Sequence, residues 1–422
     1  MSLKKAFVIL SVSIACLVLF VSNTLGMTIT GKEQPLKESS IQKINLKTIA
    51  SSRASFAAAS VAPTYIEWGY YYGVSGQNSM AKSMIGTNDG GYFIPGQVDY
   101  GQDHYIYLVK TNSNGLVVWS WTYGDAGFQF EAKSAQQTSD NGYIIVGSYK
   151  ETTATRYGIF LLKTDSLGQI EWVQEYQGGV NGQYGFGVKQ YTDGGYVVSG
   201  ARDNNSAVNT LVFRTNITGT LLWERLVSTS TGYGSMVLIE RNTANIVVLT
   251  ESNTAQTTTL LKYNSSGAVL LQRDYPYSTI SFVHSFKQCN NGTGYLLCGD
   301  INPFSGSDGN FVLFKVDNSF EYVWLRQYGT GGNYAGGGDV EETADGGYLM
   351  SAYAFYSTST GSSNRDVLLI KTLASGTVEW GQQFDFSSYD DPLYVHCTSD
   401  NGYILGGATI VIPGNIFMLK LK

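Results

Sequence analysis

Charged residues are scarce in this chain: 27 Lys and Arg with 33 Asp and Glu make up 14% of 422 residues, against roughly 25% in an ordinary soluble domain. Long amphipathic surface helices need far more charge than that, so short strands joined by frequent turns are expected instead. The balance is −6, and without a basic surface a nucleic-acid partner is excluded. Only three His are present, His104, His284 and His396. They share no spacing, so they read as structural residues and no metal site is expected. The chain has no GxSxG, HExxH or phosphate-loop motif and no adjacent pair of Cys, and no cofactor is expected. What the chain does have is 49 Gly, 30 Tyr and 43% apolar residues, enough for a large core and incompatible with global disorder.

The first residues read as an address. Lys4 and Lys5 precede an apolar run from Ala6 to Val21, and Thr24 and Gly26 supply small residues at the −3 and −1 positions of a cleavage site. Residues 1–26 are therefore expected to be a signal peptide, which makes the protein secreted or cell-surface. Membrane contact is expected only through that segment, if it stays uncleaved. Residues 27–63 lack strand-like alternation and carry a single aromatic, Phe56; they read as a flexible linker.

From residue 64 to 422 the sequence copies itself. The pattern TSDNGYIIVG (138–147) recurs as TNDGGYFIPG (87–96), TDGGYVVSG (192–200), NNGTGYLLCG (290–299), TADGGYLMSA (343–352) and TSDNGYILGG (398–407). Tyr92, Tyr143, Tyr196, Val247 as a substitute, Tyr295, Tyr348 and Tyr403 form one ruler, with spacings of 48 to 55 residues. Trp68, Trp119, Trp172, Trp223, Leu271 as a substitute, Trp324 and Trp380 form a second. Both count seven. Each period holds four strand-like runs with tight Gly, Asn and Asp turns, so the expected fold is an all-β, seven-bladed β-propeller with four antiparallel strands per blade. The rulers are offset: the chain begins with an outer strand and ends with the strand that should precede it. The N-terminal strand, residues 64–72, is therefore expected to pair with the C-terminal blade and close the ring. The turn Asp is expected to accept backbone N–H groups. The small residue four positions after the Tyr is assigned to crowding near the axis, with Glu251 as an exception, and the Trp to packing between blades.

These residues carry a resemblance. The DGGY and KTDSLGQIEW signatures resemble the DGGY-repeat propellers of exported prokaryotic surface proteins, and KTDSLGQIEW is also similar to the tryptophan-docking motif of quinoprotein-type propellers. The resemblance covers about residues 64 to 422 and implies an exported surface protein of the propeller fold. It implies no particular activity.

The DGGY and KTDSLG hairpins emerge on one face and are uniform, whereas the loops on the opposite face vary, and binding normally resides on variable loops. Candidate binding residues are Tyr184, Tyr233, Tyr334 and Tyr389, able to stack on sugar rings, with Asp390 and Asp391 as neighbouring acids. Solvated acids are the plainer reading of that pair, since ordered Ca²⁺ spacing is lacking. The Tyr residues after the outer strands, among them Tyr123 and Tyr176, have blade packing as their plainer role. Cys289 and Cys298 lie on paired strands of one hairpin, and a disulfide and two buried thiols are both consistent with that placement. The expected function is a monomeric, non-enzymatic binding or adhesion module for an extracellular glycan or protein surface. The alternative is a glycan-active hydrolase using loop carboxylates, since a glycosidase needs only two at the right separation.

Overall fold

The structure, a computed structural model, describes residues 30–33, 42–43, 65–205, 207–227, 235–301, 310–328, 335–357, 363–386, 389–409 and 414–422. Among them every regular element is a strand, and the fold is all-β and β-propeller-like, built from four-stranded antiparallel meanders. Unit B shows the pattern, with Phe128–Gln137, Tyr143–Glu151, Gly158–Thr164 and Ile170–Tyr176 paired in that order. Unit A (78–124) has an inner strand broken into Asn78–Ala81 and Ile85–Gly86, and one parallel bridge, His104–Gln129, joins it to unit B. Units C (182–227), D (235–276), E (281–328) and F (335–384) follow. In unit G, Asp390–Cys397, Tyr403–Thr409 and Asn415–Leu421 are completed by Ile66–Tyr72 from the other end of the chain, with Trp68 opposite Lys420 and Tyr72 opposite Ile416.

The two aromatic rulers meet between units. Trp119 of unit B's predecessor lies 5.8 Å from Tyr143, Trp172 lies 5.7 Å from Tyr196, and Trp324 lies 5.5 Å from Tyr348. Aromatic pairs at these separations add to their area burial. The outer-strand Tyr residues complete the joint through their hydroxyls: Tyr123 donates to Gly168 O, Tyr328 to Gly376 O and Tyr275 to Phe320 O in the following unit's hairpin. The packing role of these Tyr residues thus has a polar component. Glycine is required where the Trp lies on the hairpin. At Gly115, φ is +75° and a Cβ would come within 2.6 Å of the Trp68 ring, so any side chain is both strained and obstructed.

Each turn Asp accepts backbone N–H as expected, Gly142 N donating to Asp140 Oδ1 at 3.0 Å. It also holds a buried cation from the third strand, a role the sequence reading missed. Lys110 Nζ is 2.8 Å from Asp89, Lys163 is 2.9 Å from Asp140, and Lys371 is 2.8 Å from Asp345. Burial alone would raise the Asp89 carboxyl, but the Lys110 ammonium, the Thr87 hydroxyl and the Gly91 N–H together hold it at about 2.

Three expectations change. The small residue after each Tyr is needed because the inner strand bulges over it, not because sheets crowd the axis. A Cβ at Gly147 would meet Glu131 O at 2.0 Å, beside the register shift at Val146/Gly147. In unit D the inner strand pairs without a shift, and Ile246, opposite Tyr263, takes the ruler position given to Val247. Thr250 then fills the small position, and Glu251 falls one rung further on. Within the segment read as a linker, Thr30–Glu33 pairs with Val117–Gly124 and Gln42–Lys43 with Tyr70 and Tyr71; the expected signal peptide lies outside the described residues. Cys289 and Cys298 are free thiols, because the register sets Cys298 opposite Ser285 and leaves Cys289 beyond the Gln288–Tyr295 rung. Burial raises both thiols, making them poor nucleophiles.

Candidate functional site

A cavity of about 1060 Å³ is lined by the inner strands of units A to G. It extends from mid-strand to the DGGY turns, reaching Asn88, Arg241 and Asn290, so it reaches the uniform face that the sequence reading set aside as scaffold.

The same rung of each inner strand meets it. Ile85, Gln136, Lys189, Leu238, Lys287, Glu341 and His396 pair respectively with Phe93, Ile144, Val197, Val247, Leu296, Leu349 and Ile404, one equivalent position in every second strand. All seven line the cavity. Strand alternation explains the placement: the next residue back, such as Val188, Phe286 or Val340, turns into the packing between sheets and only borders the cavity. At the turn end, side chains tie four units to the one before: B to A, C to B, E to D and F to E. Asn88 N donates to Gln137, Ser139 N to Gln190, Arg241 N to Gln288 and Asn290 N to Glu342, at 2.6 to 3.0 Å.

The polar wall is unevenly paired. Asp339 accepts from Lys287 at 2.7 Å, Ser285 Oγ at 2.7 Å and Val395 N at 3.2 Å. Glu341 accepts from Cys397 N at 3.2 Å and lies 3.1 Å from His396 Nδ1. Lys133 is held by Glu131 at 2.5 Å. The side-chain ammonium groups of Lys82 and Lys189 make no hydrogen bond or ion pair among the described residues, and burial lowers the pKa of each. For Lys189 the ammonium of Lys287 lowers it further, against a weaker pull from Asp339.

A second cluster adjoins the wall. His284 lines the cavity, with Nε2 3.4 Å from Asp300 Oδ2 and its ring edge-on to Tyr353. Desolvation presses its pKa down, yet the bond to Asp300 and the charges of Asp300 and Glu251 raise it overall. Glu251 accepts from Val283 N at 2.8 Å, and burial pushes its carboxyl up to about 7. The rung shift in unit D puts Glu251 level with Asp300 and Tyr353.

The candidate residues from the sequence are dispersed. Tyr184 sits within the strand Gly182–Gln190, half-buried, its ring 5.0 Å from that of Tyr157. Tyr389 bridges to Arg365, whose guanidinium lies 5.5 Å from its ring and 3.6 Å from that of Tyr353. Asp390 is not solvated: it is fully buried and accepts from Phe386 N at 2.8 Å. Asp391 pairs with Arg365 at 2.5 Å, and its carboxyl is raised by burial against that attraction. Tyr233 and Tyr334 lie outside the described residues. None of the four described candidates lines the cavity. The sequence did carry one signal of the wall, the recurrent polar residues just before each turn threonine or its equivalent: KQ at 189–190 and 287–288, QQ at 136–137 and EE at 341–342.

No protein-family model matches the chain, and no curated protein is similar to it. Among solved structures, the chain is similar to an oligogalacturonate lyase in complex with manganese, at 10% identity and a TM-score of 0.49, covering 93% of this chain and 98% of that one. It is also similar to a functionally unknown protein from Desulfotomaculum acetoxidans, at 14% identity and a TM-score of 0.47, covering 75% and 92%.

Proposed function

We propose that the chain is a seven-bladed propeller closed by its N-terminal strand, and that it acts as an exported, non-enzymatic binding or adhesion module for an extracellular glycan or protein. The ring reading is supported at the boundary between units G and A. There Trp68 lies against Gly115 and 6.5 Å from Tyr92, and Tyr72 donates to Gly115 O at 2.7 Å, the same joint found between other neighbouring units. The observation that carries the binding reading is the cavity, with a polar side chain presented from most units at one level. A rigid sheet scaffold holds such groups without ordering cost on binding. The test is a glycan and polymer panel on the purified protein, scored both for binding and for release of reducing ends. Saturable binding without turnover supports the reading.

One observation favours the hydrolase alternative: Glu251, a carboxyl protonated near neutral pH, lies beside the wall residue His284, as a general acid requires. Reducing ends released by the native protein and lost in Glu251→Gln would replace the binding reading with this one.

A further inference from the structure

We propose that the cavity holds an anion, a carboxylate or phosphate group of its ligand, with Lys189 as the principal counter-charge and Lys82 as a second. The inference rests on the reading of the cavity as the binding site. Five cations line it, Lys82, Lys133, Lys189, Arg241 and Lys287, against three carboxylates, Asp339, Glu341 and Glu342, in a chain whose overall charge is −6. The carboxylates are already engaged. Asp339 holds Lys287, Glu341 faces His396, and Glu342 takes the N–H of Asn290. Lys133 has Glu131, and Arg241 Nη1 donates to Cys289 O and Asn290 O.

Among the described residues the ammonium groups of Lys189 and Lys82 make no hydrogen bond or ion pair; only longer-range attraction reaches them, from Asp339 for Lys189 and from Glu131, Asp99 and Asp391 for Lys82. Native proteins pair cations that are withdrawn from water, because an unpaired one costs several kcal/mol or loses its proton. An ammonium kept in a concave wall beside a second ammonium, Lys287, is destabilised in the empty protein and stabilised by an incoming anion. Lys287 then adds its field from across the same rung. The rung supplies further polar contacts in Gln136 and His396, so a ligand that is both anionic and hydroxylated fits better than a bare ion. The preference follows from charge and not from shape, so it separates a carboxylated sugar from its neutral parent.

The experiment titrates the full chain with inorganic phosphate, citrate, glucuronate and glucose, by calorimetry and thermal shift, in the native protein and in Lys189→Met, Lys82→Met and the double variant. The expected result is saturable binding of one or more of the three anions but not of glucose, weakened by about tenfold in Lys189→Met and abolished in the double variant. Because burial lowers both lysine pKa values and an anion restores them, binding in the alkaline range should take up protons. Without anion, Lys189→Met should melt no lower than the native protein, which shows that it folds. Anion affinity unchanged in Lys189→Met, or no anion binding at all, overturns the proposal. If anions fail while a neutral member of the glycan panel binds, the binding-module reading survives alone; if nothing binds in either assay, both fall.

Discussion

Trp68 packs against Tyr92 with ring centroids 6.5 Å apart, and it repeats between the last unit and the first the contact that Trp119 makes with Tyr143. The strand bearing Trp68 is hydrogen-bonded to Asn415–Leu421, so this contact binds the two ends of the chain to unit A. Deleting residues 65–72 should expose the edge of Asn415–Leu421 and unseat unit A, giving aggregation. Light scattering coupled to size exclusion checks this; a monodisperse monomer would refute it.

Gly115→Ala should destabilise by about 1–3 kcal/mol, through its positive φ and the Trp68 ring behind it. Denaturant unfolding measures the loss. Gly101→Ala, which has a similar φ of +67° but nothing near its Cβ, should cost only about 1 kcal/mol.

The buried lysines differ in what would remain after losing their Asp. Asp89→Asn leaves Lys110, which is only 4% exposed, with the carbonyl of Thr111. Asp140→Asn leaves Lys163 with Glu171 at 3.0 Å as well as Thr164 O. The first should cost about 2 kcal/mol and the second about 1 kcal/mol. Equal losses would mean that the turn cap dominates over the ion pair.

Stability should fall as pH rises from about 4.5 to about 7. The Glu251 carboxyl is raised to about 7 in the folded chain, so folding favours its protonated form. That stabilisation is complete below the ordinary carboxyl value and lost through the folded one. His284, the cation beside it, is also raised and acts in the same direction, while Asp300 faces both. The Glu251 share is up to about 3 kcal/mol. Glu251→Gln should flatten the profile across this window, as read by urea midpoints at successive pH values.

How much was legible follows from what repeats. Tyr143, Trp172 and Asp140 do the same work as their copies, so their period exposed the strands, the turns and the joints between units. The one-residue lengthening of the turn before Ile246 hid the true register of unit D, because hydrophobic residues at 246 and 247 serve either ruler equally well. The cavity was obscured for the opposite reason. At its rung the units carry Ile85, Gln136, Lys189, Leu238, Lys287, Glu341 and His396, with only Lys repeated, and a search for self-similarity discards such a position as noise. The loops drew attention by their variety, whereas the variety that faces the cavity is a single residue deep in each strand. Asp390 looked like a solvated loop acid because nothing local signals that its carboxylate turns inward to the Phe386 N–H.

The amide of Lys422 donates to the carbonyl of Tyr65 at 2.9 Å, which places the two ends of the repeat region where the other units have a third-to-fourth-strand hairpin. The molecule can therefore be rewired without being redrawn. A short Asn-Gly link between residues 422 and 65, with new ends cut at the Asn264–Ala268 turn, would keep every strand pairing within residues 65–422, at the loss of the pairings made by Thr30–Glu33 and Gln42–Lys43, while moving the point of attachment to a different unit. Any tether or fusion partner would then leave from another side of the same scaffold, so the orientation of the cavity relative to whatever carries the protein becomes an adjustable property, independent of the fold.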